Sequence, residues 1–201
     1  MFADLPKKAL IYDIGSKRAR GYSHAKIPEN ARLITVDIDA EASPDIVADA
    51  HDLHMIPDQS ADCVVSMCVL EHCAKPWLVM DEIFRILKPG GKIFIGVPFM
   101  FPFHADPIDN YRVSFKGIDI LCERFNKIES GFCRGPASCM THLNIHFLAL
   151  LLSFNSKALY GVLLDVFGWA FFWTKYLDRL LAKHPMRHVI HAGVFFYGTR
   201  T

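Results

Sequence analysis

Three side chains able to hold or move charge lie close together in the string FPFHADPIDNYRVS at 101–114, namely His104, Asp109 and Arg112. An imidazole can take a proton from an acceptor hydroxyl, and a nearby carboxylate can orient that ring. A guanidinium in the same loop can hold a carboxylate or phosphate. The same spacing also suits a plain Asp109–Arg112 ion pair that only shapes the loop. A second set of candidates is acidic and lies earlier in the chain. Asp13-Ile14-Gly15-Ser16 ends one apolar run, and Asp37-Ile38-Asp39 ends the next, about two dozen residues after the first motif. A carboxylate ending a second strand can accept hydrogen bonds from both hydroxyls of a ribose. Asp37 is the first candidate for that role and Asp39 the second; an exposed acid that merely ends a strand is the bland alternative.

These residues need strands to deliver them. Lys8–Tyr12, Arg32–Val36, Ile46–Ala48, Cys63–Met67 and Lys92–Val97 are short apolar runs of the kind buried on both faces of a parallel sheet. Between the last two, Leu78, Val79, Ile83, Ile86 and Leu87 recur at helical spacing over Trp77–Leu87, and Lys88-Pro89-Gly90-Gly91 predicts the stop. Strand, helix, strand with a tight stop is a βαβ unit, so the fold class is α/β with a doubly wound, mostly parallel sheet. Ala19–Glu29 is too short and turn-rich for a full first crossover helix, which predicts a reduced helix or loop. The 101–114 string then follows the fifth strand, at the carboxyl edge where open α/β sheets place ligands. Ser114 is a candidate N-cap for a helix over Phe115–Phe125. Lys127–Phe132 reads as a sixth strand and His191–Thr199 as a last one.

Composition narrows the class. The chain has 201 residues, a net charge of +1 and 21% charged residues, which argues against a nucleic-acid surface held by bulk charge. One domain of ordinary size over 1–201 is the natural prior. The cysteines Cys63, Cys68, Cys73, Cys122, Cys133 and Cys139 form no CxxC pair and no zinc-ligand spacing, which suits reduced, structural thiols in a cytoplasmic protein. Met1–Lys8 is too short and mixed for a signal peptide. No GxGxxG follows the first strand, which disfavours a nicotinamide-dependent dehydrogenase.

Taken together, Asp49-Ala50, Leu53, Pro57-Asp58, Ala61-Asp62-Cys63-Val64-Val65, Val69-Leu70-Glu71-His72 and Leu87-Lys88-Pro89-Gly90-Gly91 resemble the class I S-adenosylmethionine-dependent methyltransferases, most of all the small type 11 group. The resemblance implies a seven-stranded Rossmann-like sheet whose antiparallel last strand inserts between the fifth and sixth. It implies S-adenosylmethionine as cofactor and Asp13 and Gly15 in the glycine-rich loop, where a side chain would collide with the methionine part of the ligand. Lys17 and Ala19 stand where the family has later glycines, with Gly21 further on. Asp49 would face the adenine amino group, Ala50 would offer a backbone N–H to the ring, and the Met67-Cys68-Val69 backbone would line the pocket near the sulfonium. His51 reads as a loop histidine. His72 would orient substrate or cap the following helix. The string His, Pro, Asp, Tyr-Arg at 104–112 recurs in type 11 relatives, which implies the catalytic set His104, Asp109 and Arg112. No metal is implied. The acceptor would be a small molecule, a sugar or a lipid-linked intermediate.

Residues 134–190 exceed what the family places between its last two strands and carry the excess hydrophobicity, 52% hydrophobic residues at a mean hydropathy of +0.21. Phe147–Leu152 and Ala158–Trp173 are apolar but fall short of the roughly 18–20 uninterrupted residues of a spanning helix. Trp169, Phe171, Phe172 and Trp173, followed by Lys175, Arg179, Lys183 and Arg187, form an aromatic and basic rim. That pattern suits peripheral membrane contact through 145–175 at the inner membrane face, a lid over the site, or a homodimer contact. Asp178 and Arg179 read as solvated helix charges, and His184, His188 and His191 as structural. The alternative to an enzyme is a degenerate methyltransferase-like docking module, which the altered loop after Gly15 favours and the intact Asp37, Asp49 and 104–112 features oppose.

Overall fold

A computed structural model describes residues 5–16, 27–28, 30–105 and 108–201. The expectations placed on Lys17, Ala19, Gly21 and most of the Ala19–Glu29 segment lie outside the described residues. Seven strands, β1 (Leu10–Ile14), β2 (Arg32–Asp37), β3 (Ile46–Val47), β4 (Ala61–Met67), β5 (Leu87–Pro98), β6 (Phe125–Phe132) and β7 (Gly193–Arg200), form one sheet in the order β3-β2-β1-β4-β5-β7-β6. β1 to β5 pair in parallel, and β7 runs antiparallel to both neighbours. The insertion of a reversed last strand between the fifth and sixth is as the resemblance implied.

The β-rich runs become central strands because both faces are covered. Val64, Ile93 and Ile95 bury on one face with the helix α1 (Pro76–Ile86), whose Val79, Met80, Ile83 and Ile86 are all buried. Cys63 and Val65 point the other way, into a smaller cluster with Ala9 and Ile11. Alternation along β4 thus feeds two cores.

Lys88-Pro89-Gly90-Gly91 differs from expectation. α1 ends at Ile86, and the tetrapeptide is already the start of β5, bulged so that Leu87 faces Ala61 while Lys92 faces Cys63. A proline without a donor and Gly90 at φ +74° suit a bulge as well as a stop. The carbonyls at the end of α1 are met from a distance: the Arg200 guanidinium donates to Leu87 and Arg85 carbonyl oxygens.

Ser114 caps the helix α2 (Phe115–Leu121), its hydroxyl accepting from Gly117 N–H at 3.1 Å. That helix is shorter than its sequence pattern suggested, since β6 already begins at Phe125. Between β6 and β7 lie α3 (Pro136–Leu152) and α4 (Lys157–Phe171), then short turns of helix over Phe172–Leu177 and Asp178–Leu181. Asp178 is not a solvated charge: its carboxylate accepts from Ala137 N–H at 2.8 Å and Ser138 N–H at 3.2 Å, capping α3. His191 is buried, with ring centroids 4.9 Å from Phe99 and 4.6 Å from Phe132, a structural histidine. Among the described residues no helix is long and apolar enough to cross a membrane.

Candidate active site

Strand register brings the early candidates to one edge. Ile14 lies beside Val36 on one side and Ser66 on the other, and Met67 lies beside Gly96. Gly15, Asp37 and Cys68 therefore leave the sheet at neighbouring carboxyl ends.

Gly15 sits at φ +71°, and a Cβ there would lie 2.2 Å from Val69 Cγ2. The structure supplies a reason for this glycine that the sequence did not: the loop after β4 packs directly on it. Cys68 also turns in the left-handed region, at φ +57°, while its N–H donates to Gly96 O at 2.8 Å. That turn throws Val69–Cys73 across the sheet edge.

Asp37 ends β2 nearly buried, and one carboxylate oxygen accepts from Asp39 N–H at 2.9 Å. Asp39 is already committed as a cap, accepting from Glu41 N–H at 2.9 Å over the turn Ala40–Ala42. Of the two acids, Asp37 is the one at the carboxyl end of β2 and not engaged as the cap of that turn. Asp49 binds His51 through both the backbone N–H at 2.9 Å and the ring at 2.6 Å. Desolvation acts to raise the Asp49 carboxyl, yet these bonds hold it net below its usual range. His51 in turn accepts from Lys75 N–H at 3.3 Å, so it ties Asp49 to the entry of α1. Ala50 follows in the same turn, half-buried against the core.

The loop at 101–114 is fastened to the loop after β4. Asn110 and Tyr111 N–H donate to Glu71 O at 2.7 and 3.1 Å, Asn110 Nδ2 to His72 O at 3.0 Å, and Tyr111 Oη to Ala74 O at 2.9 Å. His72 Nδ1 meets Ile108 O at 2.5 Å. His72 therefore does not cap α1, whose N-cap is Lys75; it clasps the second loop.

Inside this clasp the predicted trio is assembled. The Asp109 side chain is 1% exposed and forms a bidentate pair with Arg112. It also accepts from His104 N–H at 2.9 Å, and the Arg112 guanidinium holds its carboxyl down to about 2. Arg112 further donates to Tyr111 O at 2.9 Å and Pro102 O at 3.2 Å. Its guanidinium is thus engaged in shaping the loop, which is the plainer of its two expected roles. His104 is the third member: its Nδ1 lies 3.1 Å from Pro102 O, and its Nε2 lies 3.6 Å from Glu71 Oε1.

Glu71 is the residue the sequence did not single out. It is fully buried, neither carboxylate oxygen is hydrogen-bonded by another described residue, and His72 Nε2 stands 3.8 Å from Oε1. Desolvation pushes its carboxyl up to about 7. An acid flanked by Leu70 and His72 was visible as a triplet, but nothing local told of its burial. Burial pushes the Cys63 thiol up to about 12 and those of Cys68, Cys73 and Cys133 up to about 11, away from the thiolate form.

A seven-stranded sheet in this order, with its polar cluster at the carboxyl edge, is the Rossmann-like fold of class I methyltransferases. Residues 13–95, somewhat under half of the chain, match the type 11 family model described as a methyltransferase domain. The fold is shared with a SAM-dependent methyltransferase from Archaeoglobus fulgidus at a TM-score of 0.61, with 18% identity over 96% of this chain and 86% of that one. Phosphoethanolamine N-methyltransferase 2 of Haemonchus contortus, solved in complex with S-adenosyl-L-methionine, matches at 0.62, with 17% identity over 99% of this chain and 50% of that one. The [4+2]-cyclase SpnF matches at 0.59, with 14% identity, 96% and 75% coverage, so the fold alone does not name a reaction. In sequence, the chain is 33% identical over 78 residues to an uncharacterized 37.1 kDa protein in transposon TN4556 of Streptomyces fradiae. That match spans 38% of this chain and only 21% of the relative.

Proposed function

We propose that this chain transfers a methyl group from S-adenosylmethionine to an oxygen or nitrogen of a small-molecule, sugar or lipid-linked acceptor. The observation that carries the reading is the meeting of His104, Glu71 and His72 at the same sheet edge as Gly15, Asp37 and Cys68. The donor set fits the cofactor. A nearly buried carboxylate, oriented by its own Asp39 N–H, ends β2 one step past the Gly15 turn, as a ribose requires. Asp37 would hold the ribose, Ala50 N–H would face the adenine beside Asp49, and the Asp13–Gly15 and Cys68 backbones would flank the methionine part. When bound, the cofactor supplies an electrophilic methyl on a sulfonium: the C–S bond breaks as the bond to the acceptor forms, and sulfur keeps the electron pair.

The protein's part is alignment and the fate of the acceptor's proton. His104 Nε2, on a ring one third exposed and 3.6 Å from the buried Glu71 carboxyl, is the group to which an acceptor hydroxyl would lose its proton. Asp109 and Arg112 hold the His104 backbone in place. For the acceptor itself, a cleft of about 290 Å³ is lined by Arg134, Ser138, Thr141, His142 and Lys175. His142 stacks on Phe101 at 4.6 Å, and Phe101 meets His104 at 5.0 Å, so this cleft lies one ring away from the clasp. Two cations there suit an anionic acceptor. The lipid-linked class, with peripheral membrane contact, draws support from the exposed apolar side chains Phe147, Leu150, Trp169 and Leu180 on the neighbouring helices.

Isothermal calorimetry with S-adenosylmethionine and its demethylated product tests the reading. Saturable heat with both is expected, and Asp37→Ala weakens each at least tenfold, about 1.4 kcal/mol. No heat from either ligand, or unchanged affinity in the variant, overturns respectively the reaction and the ribose assignment.

A further inference from the structure

Glu71, His72 and His104 bring one carboxylate oxygen and two ring nitrogens within 4.8 Å of one another. The tautomers of both rings follow from their partners. His72 Nδ1 lies against Ile108 O at 2.5 Å, so its proton sits on Nδ1 and Nε2 carries a lone pair. His104 Nδ1 faces two acceptors, Pro102 O at 3.1 Å and Asp109 Oδ2 at 3.5 Å, with one Arg112 nitrogen no closer than 3.5 Å. The nearest acceptor takes the Nδ1 proton, and Nε2 is again a lone pair. Both ring nitrogens lie within 4 Å of Glu71, whose buried oxygens accept no hydrogen bond from any other described residue. Three groups with lone pairs thus converge, an arrangement that is costly unless a proton or a cation lies between them.

We propose that Glu71, His72 and His104 bind a divalent transition-metal ion. Two imidazoles and one carboxylate form a ligand set suited to Zn²⁺, Co²⁺ or Fe²⁺. The ring Nδ1–H groups, held by the backbone carbonyls of Ile108 and Pro102, supply the outer hydrogen bonds that metal-bound histidines need. Ligand atoms around a tetrahedral ion at Zn–N and Zn–O distances of about 2.0–2.1 Å stand roughly 3.3–3.5 Å apart. Oε1 stands 3.6 Å from His104 Nε2 and 3.8 Å from His72 Nε2, with all three ligand atoms within 4.8 Å of one another, so rotation of the two imidazoles about their side-chain bonds is what closes the site. His104 is about one third exposed, which leaves the outer side open to water or to an oxygen of the acceptor. An ion there would acidify a bound hydroxyl and relieve His104 of acting as base. That use rests on the methyl-transfer reading above; the binding itself does not.

The test is titration of the EDTA-stripped full chain with Co²⁺, followed by visible d–d absorbance, with Zn²⁺ competition. Saturation at one equivalent per chain is expected, with affinity falling at least tenfold in Glu71→Gln and again in His104→Asn. His188→Asn, which alters an exposed histidine far along the chain, leaves binding unchanged. Thermal melts show whether each variant is folded; should Glu71→Gln fail to fold, His104→Asn and His72→Asn decide. Equal Co²⁺ affinity in the wild type and His104→Asn, or no saturable equivalent in the wild type, overturns the site and leaves a shared proton as the occupant. Calorimetry with S-adenosylmethionine on the stripped protein reports the methyl-donor reading separately, so either can fail alone.

Discussion

The Asp109–Arg112 pair is the structural keystone of the clasp, and its removal gives a measurable quantity. In Arg112→Leu the Asp109 carboxylate stays buried, keeping the His104 N–H at 2.9 Å but losing both guanidinium bonds. Breaking a buried ion pair from one side costs about 3–5 kcal/mol. Arg112 is one quarter exposed, so water and salt already weaken its attraction, and the figure falls to about 2–3 kcal/mol. For a chain of this length that lowers Tm by about 4–12 °C. Far-UV circular dichroism melts at neutral pH measure the shift directly. In the double variant Asp109→Asn, Arg112→Leu the stranded charge is gone, and part of the loss returns. A drop below about 2 °C in the single variant, or a double variant worse than the sum of the singles, would refute the claim that the pair holds the loop together.

Three further outcomes follow from local geometry. Gly15→Ala places a Cβ against Val69 and forces a left-handed backbone, costing about 2–4 kcal/mol in urea unfolding; adding Val69→Ala restores the steric part only. Arg85 bonds hold the Glu82 carboxyl below its usual range, and Glu82 also accepts from Leu53 N–H at 2.7 Å. A depressed carboxyl stabilises the fold above its unfolded value near 4.3 and loses that contribution as pH falls through its lower folded value. Melts across the acid range should therefore show wild type losing Tm more steeply than Glu82→Gln, and parallel curves would contradict the assignment. Asp178→Ala uncaps α3 and should cost about 0.5–2 kcal/mol, read as a lower Tm and faster limited proteolysis within residues 134–190.

Much of this fold could be read from local pattern. The run at Cys63–Met67 became a central strand because it is buried on both faces, and α1 followed from the 3.6-residue spacing of Val79, Ile83 and Ile86. The Ser114 cap was legible because N-capping is a contact between residues three apart. Where the reading went astray, the partner was remote. Lys88–Gly91 entered β5 as a bulge because β4 pairs with it, and Asp178 proved a cap for a helix beginning 42 residues earlier.

The candidate site divides along the same line. His104, Asp109 and Arg112 stood out in sequence because they crowd one loop, and Asp37 because it ends an apolar run. What each does was decided by the tertiary structure. Arg112 turns to Asp109, Asp39 is taken by its own turn, and His72 reaches 36 residues along the chain to Ile108. Glu71 is the sharpest case. The sequence by itself determined that an acid sits between Leu70 and His72; only the folding of the 101–114 loop over it excluded water and set two imidazoles at its edge. Chemical type is a local property of the chain, whereas desolvation and the identity of a charge's nearest neighbour are properties of the packed fold.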